Sequence, residues 1–412
     1  MSTESRPPRH AAPITLPALA VILAALAMIG PFTIDTYLPA FPQIGADLAA
    51  TPAQIQQTLS LYLFTLALMT LFHGTLSDSF GRRPVILVSL AIYILTSIGC
   101  ALAANLPQLL FWRAVQGLAA GAGIIVGRAI IRDSQTGHAA QRLMALVTMI
   151  FGIAPAVAPV IGGWLQSIFS WRAIFWFLAL YGVALGIACV RRLPETHPVA
   201  ARQPFHAAPL LRNYLRLGGD PRLVLLCLVV ALNFSGFFLY VVSAPAVIYG
   251  LLGLSGTDFA WLFVPGISGV MFGAFLSGRL AGRLTPRRTV LAGYLVMCGA
   301  AVFNVTYSAL FPPALPWTVL PVMLYSTGMA LAMPSVTLIT LELYPQLRGT
   351  TASLQGFAHS LLAGITAGVI SPLVSGRALT LALGMSGLLA LGAVMWLLYL
   401  RKVGADGVST DE

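Results

Sequence analysis

Long apolar stretches recur along the entire chain and restrict the folds open to it. Each is about 20 residues long, the length at which an α-helix spans the hydrocarbon core of a bilayer. Only 8% of the 412 residues are charged, whereas charged residues make up roughly a quarter of a soluble domain. The sequence therefore predicts an all-α integral membrane protein with twelve transmembrane helices. Their expected starts are Leu16, Ala53, Val85, Gln108, Gln141, Ala173, Leu223, Asp258, Thr289, Trp317, Gly349 and Ala378.

The basic residues predict how these helices are oriented. Of the 23 Lys and Arg residues, all but Arg113, Arg172 and Arg377 fall in segments expected to share one side of the membrane. Because such a bias marks the cytoplasmic side, both termini are predicted to be cytoplasmic, and the first apolar run to remain as an uncleaved anchor. The net charge of +11 then reflects topology, and no nucleic-acid partner is expected. Arg113 is the only cation expected well inside a span.

Cysteine and lysine usage narrows the possible chemistry. Cys100, Cys189, Cys227 and Cys298 fall in predicted spans without the spacing of disulfides or zinc sites, so we expect packing residues and no metal or cofactor. The single lysine, Lys402, lies in the tail, so the phosphate-binding loop of an ATP-hydrolysing protein is absent. No catalytic spacing typical of an enzyme is found. A transporter of this kind must be driven by an ion gradient, and a membrane-embedded structural or receptor protein is the alternative.

The longest polar segment, residues 191–222, divides the spans into six and six. It predicts an N-terminal six-helix bundle (1–190), a cytoplasmic linker (191–222) and a C-terminal six-helix bundle (223–412) around a central cavity. The segments 74–87 and 278–291 match each other at an offset of 204 residues (278 minus 74). A repeat at half the chain length is typical of transporters built from two pseudo-symmetric halves.

The first copy of this repeat has a recognisable pattern. Segment 74–83, GTLSDSFGRR, resembles the signature loop of the major facilitator superfamily, Gly-x-Leu-x-Asp-x-x-Gly-Arg-Arg/Lys. We expect Gly74 to permit close helix approach, and Asp78 to pair with arginines and a neighbouring helix N-terminus. Gly81 is expected to form a tight turn before Arg82 and Arg83. The alternative is an ordinary basic loop that sets topology.

Two further motifs resemble this superfamily. In the fourth span, Arg113, Gln116 and Gly117 match its Arg-x-x-Gln-Gly pattern. A buried arginine needs a partner or a cavity, unless the side chain extends to the nearby interface. In the fifth span, segment 152–163, GIAPAVAPVIGG, resembles the motif of its antiporters, although Ala158 replaces a glycine. The expectation is that the helix kinks at two prolines and packs against the opposite half at two glycines: Pro155, Pro159, Gly162 and Gly163.

Asp35 is the only acid expected within a membrane run. An intramembrane carboxylate costs about 2.5 to 3.5 kcal/mol and is a functional residue by default. Counting residues from the middle of the run near Ala27 places Asp35 roughly 12 Å toward the outer face, which leaves an interfacial aspartate as the alternative. Arg113 enters from the same side. We therefore expect Asp35 to carry the proton and Arg113 to modulate its proton affinity.

Segment 35–39, DTYLP, narrows the resemblance to one branch. It is similar to the Asp-x-Tyr-Leu-Pro signature of the bicyclomycin and chloramphenicol resistance branch of drug:proton antiporters. The resemblance implies small-molecule efflux by alternating access, in exchange for protons, through the bacterial inner membrane. It implies a monomer whose partners are the substrate, protons and the lipid bilayer. Ala27 stands near a position where some relatives carry a second acid.

Aromatic residues in the seventh span suggest where a substrate binds. With Tyr37 from the first half, they are expected to line an apolar pocket for amphiphilic neutral or cationic molecules. His359 can titrate, bind substrate or only pack. The expected substrate-contacting residues are Tyr37, Asn233, Phe234, Phe237, Phe238, Tyr240 and His359. The competing function is proton-coupled export of a metabolite, such as an amino-acid derivative or small peptide.

Overall fold

The computed structural model describes residues 15–202 and 204–405, and the chain is helical over almost all of them. Twelve helices in these ranges are long and apolar enough to cross a membrane, and each begins within four residues of its predicted start. The predicted twelve-helix fold is confirmed. The helices are α1 (Leu16–Asp47), α2 (Pro52–Phe80), α3 (Arg82–Ala101), α4 (Leu106–Ser134), α5 (Gly137–Ile168), α6 (Trp171–Arg192), α7 (Pro221–Val242), α8 (Gly256–Leu280), α9 (Pro286–Leu310), α10 (Leu320–Glu342), α11 (Pro345–Val374) and α12 (Ala378–Gly404).

The helices pack chiefly within their own half of the chain. In the first half α2 packs on α4 and α3 on α6, while in the second half α9 packs on α10 and α7 on α12. The halves meet where α2 packs on α11 and α5 on α8. A linker helix, Ala207–Gly218, joins them. The domain limits 1–190, 191–222 and 223–412 remain predictions, and the N- and C-terminal segments 1–14 and 406–412 lie outside the described residues.

Because successive helices alternate in direction, the molecule has two distinguishable ends. We call the end that carries the linker helix the linker side, and the opposite end the far side. On the far side three side chains of α2 bond to α11: Gln57 Nε2 donates to the Gly368 carbonyl (2.7 Å), Ser60 Oγ to the Gly364 carbonyl (2.8 Å) and Gln56 Nε2 to Ser371 Oγ (2.8 Å).

A second far-side contact links α5, α1 and the loop before α8. Gln166 Nε2 donates to the Tyr249 hydroxyl (3.1 Å), which donates to the Pro39 carbonyl (2.7 Å). Among the described residues, every hydrogen bond between the two six-helix groups belongs to these two far-side clusters or to the adjoining Gln56 contact with the Val242 carbonyl.

The linker-side half of α5 is packed far less tightly. Of residues Gly137–Phe151, only Leu143 and Val147 are buried. The linker-side half of α8 is also largely exposed. The hydrogen bonds between the halves thus lie on the far side, and α5 and α8 are exposed toward the linker side, while α2 and α11 stay in contact as far as Thr70 and Gly356.

Two membrane helices are interrupted near their prolines. In α1 a 3₁₀ turn at Leu38–Ala40 precedes a further α-helical segment, Phe41–Asp47. In α5 the α-helix breaks between Phe151 and Ala154, just before Pro155, because a proline has no N–H to donate to the preceding turn. Pro159 lies inside the helical segment Ala154–Ile168, which continues through it without a break, and the kink expected there remains a prediction.

Candidate functional site

Arg113 lies at the centre of a fully buried polar cluster in the first half. Its guanidinium carbon is 4.7 Å from the ring centre of Tyr37 and 4.5 Å from that of Tyr62. Its Nη1 donates to Gln116 Oε1 (2.7 Å), and Gln116 Nε2 donates to Ser97 Oγ (2.9 Å). Aromatic faces attract a desolvated cation. Arg113 therefore has partners inside the protein, and the alternative that it extends to the interface is wrong.

The tyrosines fix the position of this arginine. The Tyr37 and Thr58 hydroxyls lie 2.8 Å apart and share a hydrogen bond. Tyr37 is wholly buried, so it forms a wall of the arginine site and not the substrate-contacting surface expected from the sequence. Gly117, one turn from Arg113, lies where a Cβ would strike the Tyr62 carbonyl, which accounts for the close approach of α4 to α2. Tyr62 was not expected, since hydropathy does not reveal which helices meet.

Asp35 lies deeper than the sequence suggested. The apolar run does not end at Pro39, because the chain resumes helix and α1 continues to Asp47. Asp35 is therefore twelve residues before the end of α1, roughly 5 Å past its midpoint instead of the expected 12 Å. Its exposed fraction is 5%. The interfacial alternative is incompatible with this position.

The Asp35 carboxyl makes no hydrogen bond or ion pair with any other described residue, and no direct bond to Arg113 forms. Tyr62 is the neighbour that the two share, since it contacts Arg113 and lies within electrostatic range of Asp35. The Tyr62 hydroxyl and the Arg113 Nε and Nη2 atoms are buried without partners among the described residues. The cluster thus retains three unused donors near an unpaired carboxyl.

The glycines of α5 connect this cluster to the opposite half. A Cβ on Gly162 would strike the carbonyl of Thr36, next to Asp35, and a Cβ on Gly163 would strike the carbonyl of Gly256 in α8. Only Gly163 contacts the opposite half, so the expectation for Gly162 is corrected. Adjacent glycines therefore place α5 against α1, next to Asp35, and against α8. We call the contact of α5 with α8, together with the hydrogen bonds of Gln166 and Tyr249, the far-side seam.

With this geometry described, the chain can be compared with known proteins. The family model of the Major Facilitator Superfamily matches residues 20–368. The chain belongs to this superfamily. It is a membrane transporter and not an enzyme.

Three relatives illustrate the similarity. The uncharacterized MFS-type transporter YdgK of Bacillus subtilis is 32% identical over 92% of this chain and 93% of its own length. The bicyclomycin resistance protein homolog of Haemophilus influenzae is 31% identical over 64% of this chain and 66% of its own. Multidrug resistance protein D of Escherichia coli is 28% identical over 94% and 97%.

A solved structure shares the fold. A bacterial homolog of the human lysosomal transporter Spinster, in an inward-facing and unoccupied conformation, has a TM-score of 0.71 to this chain. The match covers 96% of this chain and 98% of that one, with 20% sequence identity. The likeness therefore establishes the fold alone.

The signature loop between α2 and α3 forms an ionic cluster on the linker side. Gly81 has φ +101°, a conformation that favours glycine. Arg82 pairs with Asp78 and donates from Nε to Asp133 Oδ2 (2.9 Å). Arg83 donates from Nη2 to the Val190 carbonyl (2.6 Å).

Two expectations for this loop are corrected. No atom lies within 4 Å of a Cβ built on Gly74, so no helix approaches closely there. The acid at the N-terminus of α3 is Glu195, not Asp78: its carboxylate accepts from the backbone N–H groups of Arg82 (3.0 Å) and Arg83 (3.3 Å). Glu195 was missed because it is 113 residues away in sequence.

The aromatic residues of α7 divide into two groups. Phe234 stacks on Phe238 (ring centres 5.4 Å apart) and lies against the His359 ring of α11 (4.0 Å), and Phe234 and His359 remain partly exposed. These three residues form a cluster of rings between α7 and α11, the helix that also packs on α2.

The remaining predicted pocket residues point into the second half. Asn233 donates to the Tyr294 hydroxyl (2.7 Å) and lies against Gly392, while the Tyr240 hydroxyl accepts from Asn304 (2.7 Å). Phe237, also buried, packs near Gly266 of α8. Asn233, Phe237 and Tyr240 are therefore core residues here, which corrects the expected pocket.

Proposed function

We propose that this transporter exports small amphiphilic molecules through the bacterial inner membrane in exchange for protons, and that Asp35 carries the proton. The names of two relatives, a bicyclomycin resistance protein homolog and a multidrug resistance protein, support drug efflux. The chain works as a monomer with both termini in the cytoplasm. The linker side is then cytoplasmic, and we assign this conformation, with its far-side hydrogen bonds between the halves, to an inward-facing stage of alternating access.

The observation that carries this proposal is the position of Asp35. A charged carboxylate near the middle of a membrane loses its hydration, and no hydrogen bond or ion pair among the described residues compensates for that loss. The protonated form avoids this cost because it is neutral. Asp35 can therefore gain a proton while it is reached from one side and lose it to the other.

Arg113 favours the deprotonated form of Asp35 and so opposes the effect of burial. Held by Tyr37, Tyr62 and Gln116, it keeps a positive charge at a fixed place close to α1. Its unpartnered Nε and Nη2 groups can stabilise the deprotonated form of Asp35 when α1 moves toward α4. Since Gly162 packs on Thr36 and Gly163 on α8, such a movement also strains or relaxes the far-side seam. Release of the proton from Asp35 is thereby coupled to the opening and closing of the far-side seam.

The partly exposed rings of Phe234 and His359, with Phe238, offer an apolar surface for substrate at about the same depth in the membrane as Asp35. Binding there brings the halves together from the linker side. The substrate and the proton thus bind in different halves of the molecule. They do not share a binding group, and each affects the other by changing the conformation of the far-side seam.

The test replaces Asp35→Asn in purified protein reconstituted into proteoliposomes. Proton movement is followed with a pH-sensitive dye, using a lipophilic cation, a chloramphenicol-like neutral compound and amino acids as probes. We expect the variant to lose substrate-driven proton movement while it retains exchange of labelled substrate. Asp47→Asn is the matched control, because Asp47 lies on the same helix but is bonded to Trp171 and Arg172 at the far end.

Unchanged proton movement in Asp35→Asn, with the same pH dependence, would refute the role of Asp35. Proton movement driven only by amino acids or small peptides would replace drug efflux with metabolite export.

A further inference from the structure

The linker-side half of α4 presents two arginines on a single exposed face. Arg128 and Arg132, one turn apart, are both exposed, and the partly exposed Ile124 and Ile125 share their side of the helix. Arg128 lies six residues before the end of α4 at Ser134, roughly 9 Å inside the span. The expectation that Arg113 is the only cation within a span is therefore wrong.

The opposite face of this segment is packed against neighbouring helices. A Cβ on Gly123 would strike the Leu26 carbonyl of α1. The segment also contacts α3. The arginine face is thus the one that the rest of its bundle leaves uncovered.

Lipid is an unfavourable environment for that face. A lipid-exposed arginine at this depth is costly unless its side chain reaches the interface. On a helix the Cα–Cβ bond tilts toward the N-terminus, which for α4 is the far side, so the bond directs Arg128 deeper into the membrane. A water-filled space between the halves on the linker side would accommodate it without this cost.

Neither arginine has a partner. Among the described residues, Arg128 and Arg132 make no ion pair and no hydrogen bond, and the adjacent Asp133 is bonded to Arg82 (2.9 Å). The exposed acid Glu342 lies farther away in sequence, at the linker-side end of α10. At the repeat offset of 204, the second half has Ala332 and Val336. The second half therefore has no arginine at the positions that correspond to Arg128 and Arg132.

We propose that Arg128, assisted by Arg132, binds an anionic group of the substrate as it enters from the linker side. The transported compounds then carry a carboxylate or a similar oxyanion on an apolar body, as anionic or zwitterionic amphiphiles. The guanidinium groups bind the oxyanion, while the rings of Phe234 and His359 receive the apolar part. This inference rests on the proposed efflux function and replaces the expectation of cationic substrates.

The test compares two probes with the same apolar body and different charge, 4-phenylbutanoate and its neutral amide. Substrate-driven proton movement in proteoliposomes gives KM and kcat for each. We expect wild type to have a KM for the acid at least about tenfold below that for the amide, as loss of one charge-assisted hydrogen bond implies. Arg128→Ala should abolish the preference without changing the KM of the amide, and Arg128→Lys should restore part of it.

Arg191→Ala is the matched control, since Arg191 is exposed at the linker-side end of α6. Thermal unfolding verifies that each variant is folded, and Arg132→Ala gives a second variant with a smaller expected loss of preference. A phosphate of a lipid headgroup has the same chemistry as the substrate anion. If the arginines served lipid instead, Arg128→Ala would change the KM of acid and amide equally.

Equal KM values for acid and amide in wild type, or equal changes of both in Arg128→Ala, would overturn the inference. Proton movement with lipophilic cations but with neither of these probes would overturn it too, while leaving the proposed efflux function intact. If no probe of any charge moved protons in wild type, both this inference and the efflux proposal would be refuted.

Discussion

Substitution of Gly163→Ala should open the far-side seam. A methyl group at this position would overlap the Gly256 carbonyl oxygen of α8, and both sides of the contact are backbone. Neither can be relieved by a side-chain rotation, so α5 and α8 must separate. Overpacking of this kind costs about 1–3 kcal/mol. Because the contact exists only while the seam is closed, the closed-to-open ratio should fall by a factor of about 5 to 150.

The assay measures the distance across the far side directly. Leu102 and Leu310 are exposed at the far-side ends of α3 and α9, one in each half. In a background where the exposed Cys298 is replaced by serine, the variants Leu102→Cys and Leu310→Cys carry spin labels. Electron resonance should give a longer distance distribution for Gly163→Ala than for wild type.

Gly186→Ala provides the matched control. Gly186 is also a glycine in a membrane helix, but no atom lies within 4 Å of a Cβ built there. Its distance distribution should remain that of wild type. If Gly163→Ala were folded and its distribution were indistinguishable from that of Gly186→Ala, the seam would not control closure of the far side.

Two linker-side contacts give further predictions. Glu195→Gln should weaken the attachment of the linker to α3, because the N-terminus of α3 loses a negative charge worth about 1 kcal/mol and Arg202 loses its ion pair. Trypsin should then cleave the linker of this variant about fivefold faster than that of wild type. The control variant Glu342→Gln should be cleaved at the wild-type rate. At Asp220, burial alone would raise the pKa, but hydrogen bonds from the Tyr344 hydroxyl (2.7 Å) and the Arg222 backbone hold the pKa below its usual value. This stabilisation is present above the unfolded pKa of about 4 and is lost as pH falls through the lower folded pKa. Tyr344→Phe should therefore lower the Tm at neutral pH and converge with wild type in acid, and a Tm difference independent of pH would contradict this.

The helices were predictable because hydropathy is a local property. A run of about 20 apolar residues has few alternatives to a membrane helix, whatever it packs against. The signature loop was predictable for a similar reason, since the positive φ of Gly81 and the pairing of Asp78 with Arg82 arise within a few residues. The depth of Asp35 was misjudged because Pro39 suggested an end to α1, whereas the chain continues as helix to Asp47.

Sequence alone thus determined the twelve spans, the half-chain repeat and the unusual placement of Asp35 and Arg113 in apolar helices. Only the tertiary structure decided their partners. Tyr62 contacts Arg113, Glu195 reaches α3, and Asn233 turns into the second half instead of toward the cavity. These contacts join residues far apart in the chain, and they depend on which faces the helices press together. Hydropathy carries little information about that choice, because most faces of a membrane helix are apolar enough to meet either lipid or protein.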